Sequence, residues 1–222
     1  KLVKEGKLKK FALSDSVIYK GDDNKYYEQV GKSDKEITEE IAFDLPNGWS
    51  WCRLKDICSI FTGATFKKEE TVTTKEGVRI LRGGNISPFE LRIKDDDIFL
   101  TKDKVKEDII LKENDILTPA VTSLENIGKM VRVNSDMPNT TVGGFVFIIR
   151  LYLKNQWLSK YILYLLSSPF MIDFMKSITN KSGQAFYNIG KERLSTALLP
   201  IPSLAEQHRI VAQIEKLFEQ LR

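Results

Sequence analysis

"LPIPSLAEQHRIVAQIEKLFEQLR" (residues 199–222) sets two prolines ahead of an uninterrupted amphipathic segment, and its reading decides what kind of molecule this chain builds. Pro202 stops a helix from entering from the N-terminal side. Ser203 followed by Glu206 has the form of a capping box, so a helix is predicted over 203–222. Leu204, Val211, Ile214, Phe218 and Leu221 fall on an a/d seam, with Gln207 as its one polar member, and Ile210 and Leu217 widen the stripe. Twenty helical residues span ~30 Å. The sustained 3–4 spacing favours a second helix as partner over a flat seat on the chain's own body, so these seven apolar residues form a candidate helix interface.

Working back towards the N-terminus, Trp157, Tyr161, Ile162, Leu165 and Leu166 recur at helical spacing, and Phe170, Met171, Phe174 and Ile178 resume the pattern after Ser168-Pro169 breaks it. Two packed helices are expected. "TNKSGQAFYNIG" (179–190) reads as a polar loop, and "KERLSTALLPIP" (191–202) as a short helix and a strand. From 45 to about 150, short apolar runs alternate with turn residues: "VRILRGG", "DDIFL", "DIILKENDILT", "GKMVRV" and "GGFVFIIRL" are predicted strands. Ahead of them, "SVIYKGDDNKYYEQV" (16–30) has two β-rich runs around a four-residue turn, "DKEITEEIAF" fits a helical turn, and residues 1–12 read as the end of a basic helix. The expected class is therefore α+β. Four segments are expected: the helix end over 1–12, a linker or hairpin arm over 13–44, a β-rich domain with packed helices over 45–202, and the long helix over 203–222.

The 222 residues are 42% hydrophobic, enough for a core, yet no apolar run reaches the ~18 residues of a membrane span. A cytoplasmic location is expected, with Cys52 and Cys58 reduced among apolar neighbours and no signal peptide ahead of them. The net charge of +4 comes from residues 1–10, which hold five lysines and one glutamate and leave 29 basic and 29 acidic residues behind them. A nucleic-acid partner then requires charge segregated in space, since Lys and Arg contacts to phosphate supply most of the non-specific affinity. Residues 59–94, with seven basic and four acidic side chains, allow this, whereas 95–115 carry four basic and eight acidic.

Catalytic chemistry is hard to find. His208 is the only histidine, and two cysteines cannot complete a cysteine-rich zinc site, so neither metal nor cofactor is expected. His208 itself reads as a solvated helix-surface residue. No G-x-S-x-G, P-loop or G-x-G-x-x-G occurs, and "DDD" (95–97) reads as an exposed turn whose side chains point apart rather than as a nuclease metal site. "SSPF" (167–170) lacks the leading carboxylate or amide that an amino-methyltransferase tetrad uses.

"LPNGWSWCRLKDI" (45–57), the T-G-x-T turn at 62–65, "GVRILRGGNIS" (77–87), "DILT" with "IGKMVRV", "SGQAFYNIGKERLSTALLPIP" (182–202) and above all "LAEQHRIVAQIEKLF" (204–218) together resemble the specificity subunit of type I restriction-modification enzymes. That resemblance implies a target recognition domain that reads one half of a bipartite DNA site, followed by a long helix that pairs as an antiparallel coiled coil. The implied partners are double-stranded DNA, methylation and restriction subunits that carry the chemistry, and a second recognition domain or second copy reached through helix pairing. With one such domain and a lysine-rich start, the chain reads as the C-terminal half of a subunit or a half-size version.

Candidate DNA-contacting residues come from the polar loops, because amide, hydroxyl and cationic side chains there can reach base edges or phosphates. They are Thr62, Thr65, Lys67 and Lys68; Arg82 and Asn85; Thr122, Ser123, Asn126 and Lys129; and Asn180, Lys181, Ser182, Gln184, Tyr187 and Asn188. Ordinary loop chemistry competes with every one of them, and Arg82 and Asn85 could equally satisfy buried backbone groups. Two other functions stay open at this level: the recognition domain of a single-chain restriction and methylation enzyme whose catalytic part lies outside this sequence, and a structural subunit that reads no bases.

Overall fold

A computed structural model describes residues 16–72, 76–182 and 185–221, so the expected basic helix over 1–12 lies outside the described residues. The strand Val146–Leu151 organises the rest. It runs between Ile116–Pro119 and Cys58–Thr62, antiparallel to both, with Val131–Arg132 completing the four-stranded sheet. Its unbroken apolar run "VFII" follows from burial on both faces: Phe147, Ile149 and Leu151 point to the helical side, while Val146 and Ile148 point into a second apolar cluster with Leu81, Leu117 and Val142. Arg150, on that second side, forms an ion pair with the buried Asp115 at 2.7 Å and donates to the Asp108 and Ile110 carbonyls. A second sheet joins Thr140–Val142, Val78–Leu81, Ile98–Leu100 and Thr71–Val72, its first pair parallel and the others antiparallel.

On the helical side, Gln156–Leu166 starts at Asn155, whose side chain accepts from the Trp157 and Leu158 amides. Ser168 with Pro169 at the first helical position ends it and opens Pro169–Ser177, as the sequence predicts. Leu158, Ile162, Leu166, Met171 and Met175 are buried there against the central sheet. The strand Leu198–Ile201 pairs with Ser50–Arg53, which carries the half-buried Cys52; it and the buried Cys58 are free thiols that burial pushes up to about 12. Both are therefore structural rather than reactive.

Three sequence readings are corrected. "TNKSGQAFYNIG" is a β-hairpin rather than a loop: Thr179–Ser182 pairs with Phe186–Ile189, which also pairs with Val121–Thr122. Its strands are mostly exposed on both faces, so no apolar alternation marks them. The first half of "DIILKENDILT" is a 3-10 turn, Glu107–Ile109, and only Ile116–Pro119 is a strand. In the N-terminal part, Ser16–Lys20 and Tyr26–Val30 do form the expected hairpin, but a third strand, Ser33–Glu36, extends it to a meander before the expected helical turn at Thr38–Glu40. Its loop, Gly21–Lys25, is one residue longer than read, with Asn24 at a positive φ of 66°. The meander is fastened to the body. Ile37 packs on Trp51 and Leu198, and the buried Glu28 accepts from Arg53 at 2.7 and 3.2 Å.

The helix Leu204–Gln220 is present where the sequence puts it, but its N-terminal cap is simpler than a full box. Ser203 Oγ accepts the Glu206 amide at 3.3 Å, while the Glu206 carboxylate is taken by Arg209 at 2.6 and 2.8 Å. Its partner within the chain is the helix Gln156–Leu166. Val211 enters the main core with no exposure, Gln207 is buried and donates to the Pro202 carbonyl, and Lys160 pairs with Glu215 at 2.8 Å. His208 stays at the surface but lies against Trp157, with ring centroids 3.9 Å apart. The stripe therefore divides. Val211 belongs to the body, Ile210 and Ile214 are half-buried, and Leu204, Leu217, Phe218 and Leu221 remain exposed. No helix among the described residues is long and apolar enough to cross a membrane.

Candidate nucleic-acid interface

Four loops meet at one end of the central sheet because backbone hydrogen bonds tie them in series. After the strand Cys58–Thr62, Gly63 passes so close to Val142 that a Cβ there would lie 1.8 Å from the Val142 carbonyl oxygen. The Ala64 amide then donates to that same oxygen at 2.8 Å, and the Gly143 amide donates to the Leu81 carbonyl at 2.8 Å, drawing in Arg82 and Gly83. On the other side the Ala120 amide donates to the Phe145 carbonyl, and the Ile189 amide to the Ala120 carbonyl. The result is a groove of about 560 Å³ lined by Thr65, Phe66, Arg82, Val121 and Phe145 among others. A neighbouring hollow of about 380 Å³ shares Val121, Gly144 and Phe145 and adds Thr62, Asn188 and Lys191.

Among the residues singled out from the sequence, Thr62, Thr65, Arg82 and Asn188 line these two hollows. Thr122 and Tyr187 are paired beside Val121 and Asn188 across the strands, although Thr122 is buried and Tyr187 half-buried. Asn180, Lys181 and Ser182 occupy the exposed outer strand of the same hairpin, facing Asn188, Tyr187 and Phe186 in register, with the Asn180 side chain accepting from Arg193 at 3.1 Å. Lys67 and Lys68 are exposed just beyond Phe66. Gln184 lies outside the described residues.

Other candidates serve the fold. Asn85 is 1% exposed: its oxygen accepts the Arg82 amide at 2.7 Å, and its nitrogen donates to the Arg92 carbonyl and to Asp97 at 2.6 Å. No group of Asn85 is left for a base edge, so this residue is corrected to a structural one. Asp97 beneath it is likewise no exposed turn residue. Burial opposes its ionisation, but hydrogen bonds from the Lys94 amide, Asn85 and Arg79 outweigh that and hold its carboxyl below the ordinary value. Asp96 does point outward, to Arg82 at 3.1 Å. Replacing Asn85 by alanine is expected to cost about 2–3 kcal/mol of stability, because a buried hydrogen bond to a charge is lost. Thermal melts check the loss.

Ser123 and Asn126 bond to one another at 2.8 Å, and their turn lines neither hollow and runs to Gly128, where a Cβ would lie 2.5 Å from Ile172 of the helix Pro169–Ser177. Lys129 is half-buried there. Sequence reasoning missed Lys191 in the second hollow, Phe145, 74% exposed at the groove, and Phe186, 55% exposed on the hairpin. "GGFVFII" reads as one strand, yet the two glycines before Phe145 are the signal of a turn that ends ahead of Val146. Among the described residues, no group of three or more His, Cys, Asp or Glu side chains is placed to hold a metal ion.

Comparison with known proteins agrees with this architecture. The family model described as "Type I restriction modification DNA specificity domain" matches residues 46–222. The type I restriction enzyme EcoAI specificity subunit of Escherichia coli is 29% identical over 199 residues, covering 82% of this chain and 30% of that subunit. The chain thus spans about a third of the length of that relative. Among solved structures, the HsdS subunit from Thermoanaerobacter tengcongensis superposes with a TM-score of 0.55 at 23% identity, over 81% of this chain and 39% of that one. A chain from the structural work on complex assembly and conformational transition of the type I R-M system gives a TM-score of 0.59 at 21% identity, over 81% and 40%. With a loop-built groove on a mixed helix and sheet body and a family model matched from residue 46 to residue 222, the chain belongs to the family of type I restriction-modification DNA specificity domains.

Proposed function

We propose that this chain recognises one half of a bipartite DNA sequence as the specificity component of a type I restriction-modification complex. The observation that carries the reading is the convergence of Thr62, Thr65, Arg82 and Asn188 on adjoining hollows at one end of the central sheet. Loops held by a rigid sheet suit base reading, since hydrogen-bonding side chains must meet base edges at fixed positions while lysines hold the phosphates. Lys67, Lys68, Lys181 and Lys191 supply the cations around that end. Residues 45–202 act as the recognition unit and 203–222 as the connecting helix. The chain carries no catalysis of its own; methylation and restriction subunits in the cytoplasm perform the chemistry, and the exposed Leu204, Leu217, Phe218 and Leu221 meet a second helix in an antiparallel pair. The relatives matched are specificity subunits, which disfavours the single-chain enzyme.

The test is a titration of labelled duplexes, cognate and scrambled, at several salt concentrations with the assembled complex. Asn188→Ala is expected to cost ~1–3 kcal/mol on the cognate half-site and little on scrambled DNA. Lys67→Ala and Lys181→Ala are expected to weaken both duplexes alike and to lower the salt slope by about one each. Equal losses on both duplexes for Asn188→Ala would remove this hairpin from base reading.

A further inference from the structure

We propose that Phe145 is a specificity-determining residue that reads the C5 methyl group of a thymine in the half-site, an inference that rests on the DNA-reading function proposed above. At 74% exposure, Phe145 is the most exposed aromatic side chain among the described residues. An exposed ring on a loose tail would mean little, but this one stands on a fixed frame. The turn Gly143–Val146 is closed by the Val146 amide on the Gly143 carbonyl at 3.0 Å, and the Gly143 amide is bonded to the Leu81 carbonyl at 2.8 Å. The Phe145 carbonyl accepts the Ala120 amide at 2.8 Å, and Gly143 forms a parallel bridge with Ala64. Gly144 lies so near the next loop that a Cβ there would be 2.8 Å from Thr65 Oγ1. Backbone bonds to three separate segments therefore hold the tip, and the side chain itself is spent on none of them. Such preorganisation is what a contact residue needs to bind without an ordering cost.

The ring's setting names its partner. Phe145 borders both hollows, with Arg82 and Thr65 in one and Thr62, Asn188 and Lys191 in the other. Those groups suit phosphates and the donors and acceptors of base edges. In the major groove the apolar feature presented among those donors and acceptors is the thymine methyl, to which an aromatic ring gives a favourable contact that cytosine cannot return. The frame thus sets one apolar probe among polar ones.

The experiment uses the assembled complex and the half-site established by mapping its methylated motif. Each thymine of the half-site is replaced in turn by uracil, which keeps every hydrogen-bonding group and removes only the methyl. At one position, uracil is expected to weaken the parent complex by about three- to tenfold, as loss of one buried methyl contact implies. Phe145→Ala should lose a similar factor on the thymine duplex and be indifferent to that same uracil. Leu153→Ala serves as control: Leu153 is 68% exposed beyond the other end of the strand Val146–Leu151 and should behave as the parent. Indifference of the parent to every uracil, or a half-site without thymine, overturns the assignment while leaving half-site recognition intact. A Phe145→Ala loss that is the same on thymine and uracil duplexes also overturns it, since that result describes a ring wedged between base steps. Failure of the parent to distinguish cognate from scrambled DNA overturns the recognition function itself.

Discussion

Replacing Val211 by aspartate is expected to unfold the domain or to destabilise it by at least about 3 kcal/mol, because an unpaired carboxylate would enter a fully buried apolar site. Val211 has no exposure and sits in the same cluster as Leu158, Ile162 and Leu199. The sequence reading assigns Val211 and Phe218 alike to an interface with another helix, which would make both substitutions harmless to folding. The structure separates Val211 from the outer end of the stripe, where Phe218 packs partly on Tyr164 and Phe89 and its neighbours are open. Leu217, 48% exposed, and Leu221, 83% exposed, are the residues whose replacement by aspartate should leave the melting temperature nearly unchanged and abolish assembly with a second helix. Denaturation curves and sedimentation of each variant decide the matter: unfolding by Leu217→Asp, or an unaffected fold with Val211→Asp, would reverse the assignment of the two faces.

A comparable loss, about 3–5 kcal/mol, is expected from Arg53→Ala, since breaking a buried ion pair leaves its other member uncompensated. Arg53 and Glu28 side chains are 7% and 9% exposed, joined at 2.7 Å, and Arg53 also donates to the Thr196 carbonyl at 2.8 Å. One side chain thus binds the N-terminal meander to both the strand Ser50–Arg53 and the turn before Leu198. The hydrogen bonds from Arg53 hold the Glu28 carboxyl below the ordinary glutamate value, against the opposing effect of burial. A lowered folded value means that the stabilisation is full above the unfolded value of about 4.3 and is lost as pH falls through the folded one. The parent should therefore lose stability on acidification, and the deficit of Arg53→Ala should shrink below about pH 5 as Glu28 and Glu40, which Arg53 also pairs with at 2.7 Å, take up protons in the variant. Urea titrations from pH 4 to 8 measure both curves. A deficit constant across that range would show that packing, rather than the charge pair, fastens the meander.

Much of the architecture is legible locally. Ser168-Pro169 marks the break between two helices because proline fits the first helical position and bars the interior of a helix, and both neighbours act within one turn of chain. Pro202 and Ser203 mark the start of the last helix in a different way, the proline barring a helix from entering and the serine hydroxyl capping the Glu206 amide. The run "VFII" gives a strand because β-branched and aromatic residues without alternation suit burial on both faces. The polar hairpin at 179–189 was not legible as strands, since its pairing with Val121–Thr122 depends on residues more than sixty positions away and leaves no apolar period behind. Asn85 likewise reads as loop chemistry until Asp97, Arg92 and Arg82 are brought around it.

What the sequence determined by itself was therefore the kind and limits of the well-marked elements, and through the stretches 45–57 and 204–218 the family, because each of these is written in contiguous residues. Which side of an element is covered was decided by tertiary structure alone. The amphipathic stripe of Leu204–Gln220 specifies that an apolar partner exists but carries no name for it; contact with Gln156–Leu166 claims Val211 and leaves Leu217 and Leu221 free. The same holds at the groove, where Thr62, Arg82, Phe145 and Asn188 are scattered along 127 residues of chain and become neighbours only through the hydrogen bonds that the Ala64, Gly143, Ala120 and Ile189 amides donate. Hydrophobic periodicity is a short-range code, whereas burial and convergence depend on non-local pairing, and a one-dimensional pattern cannot specify which distant segment will supply it.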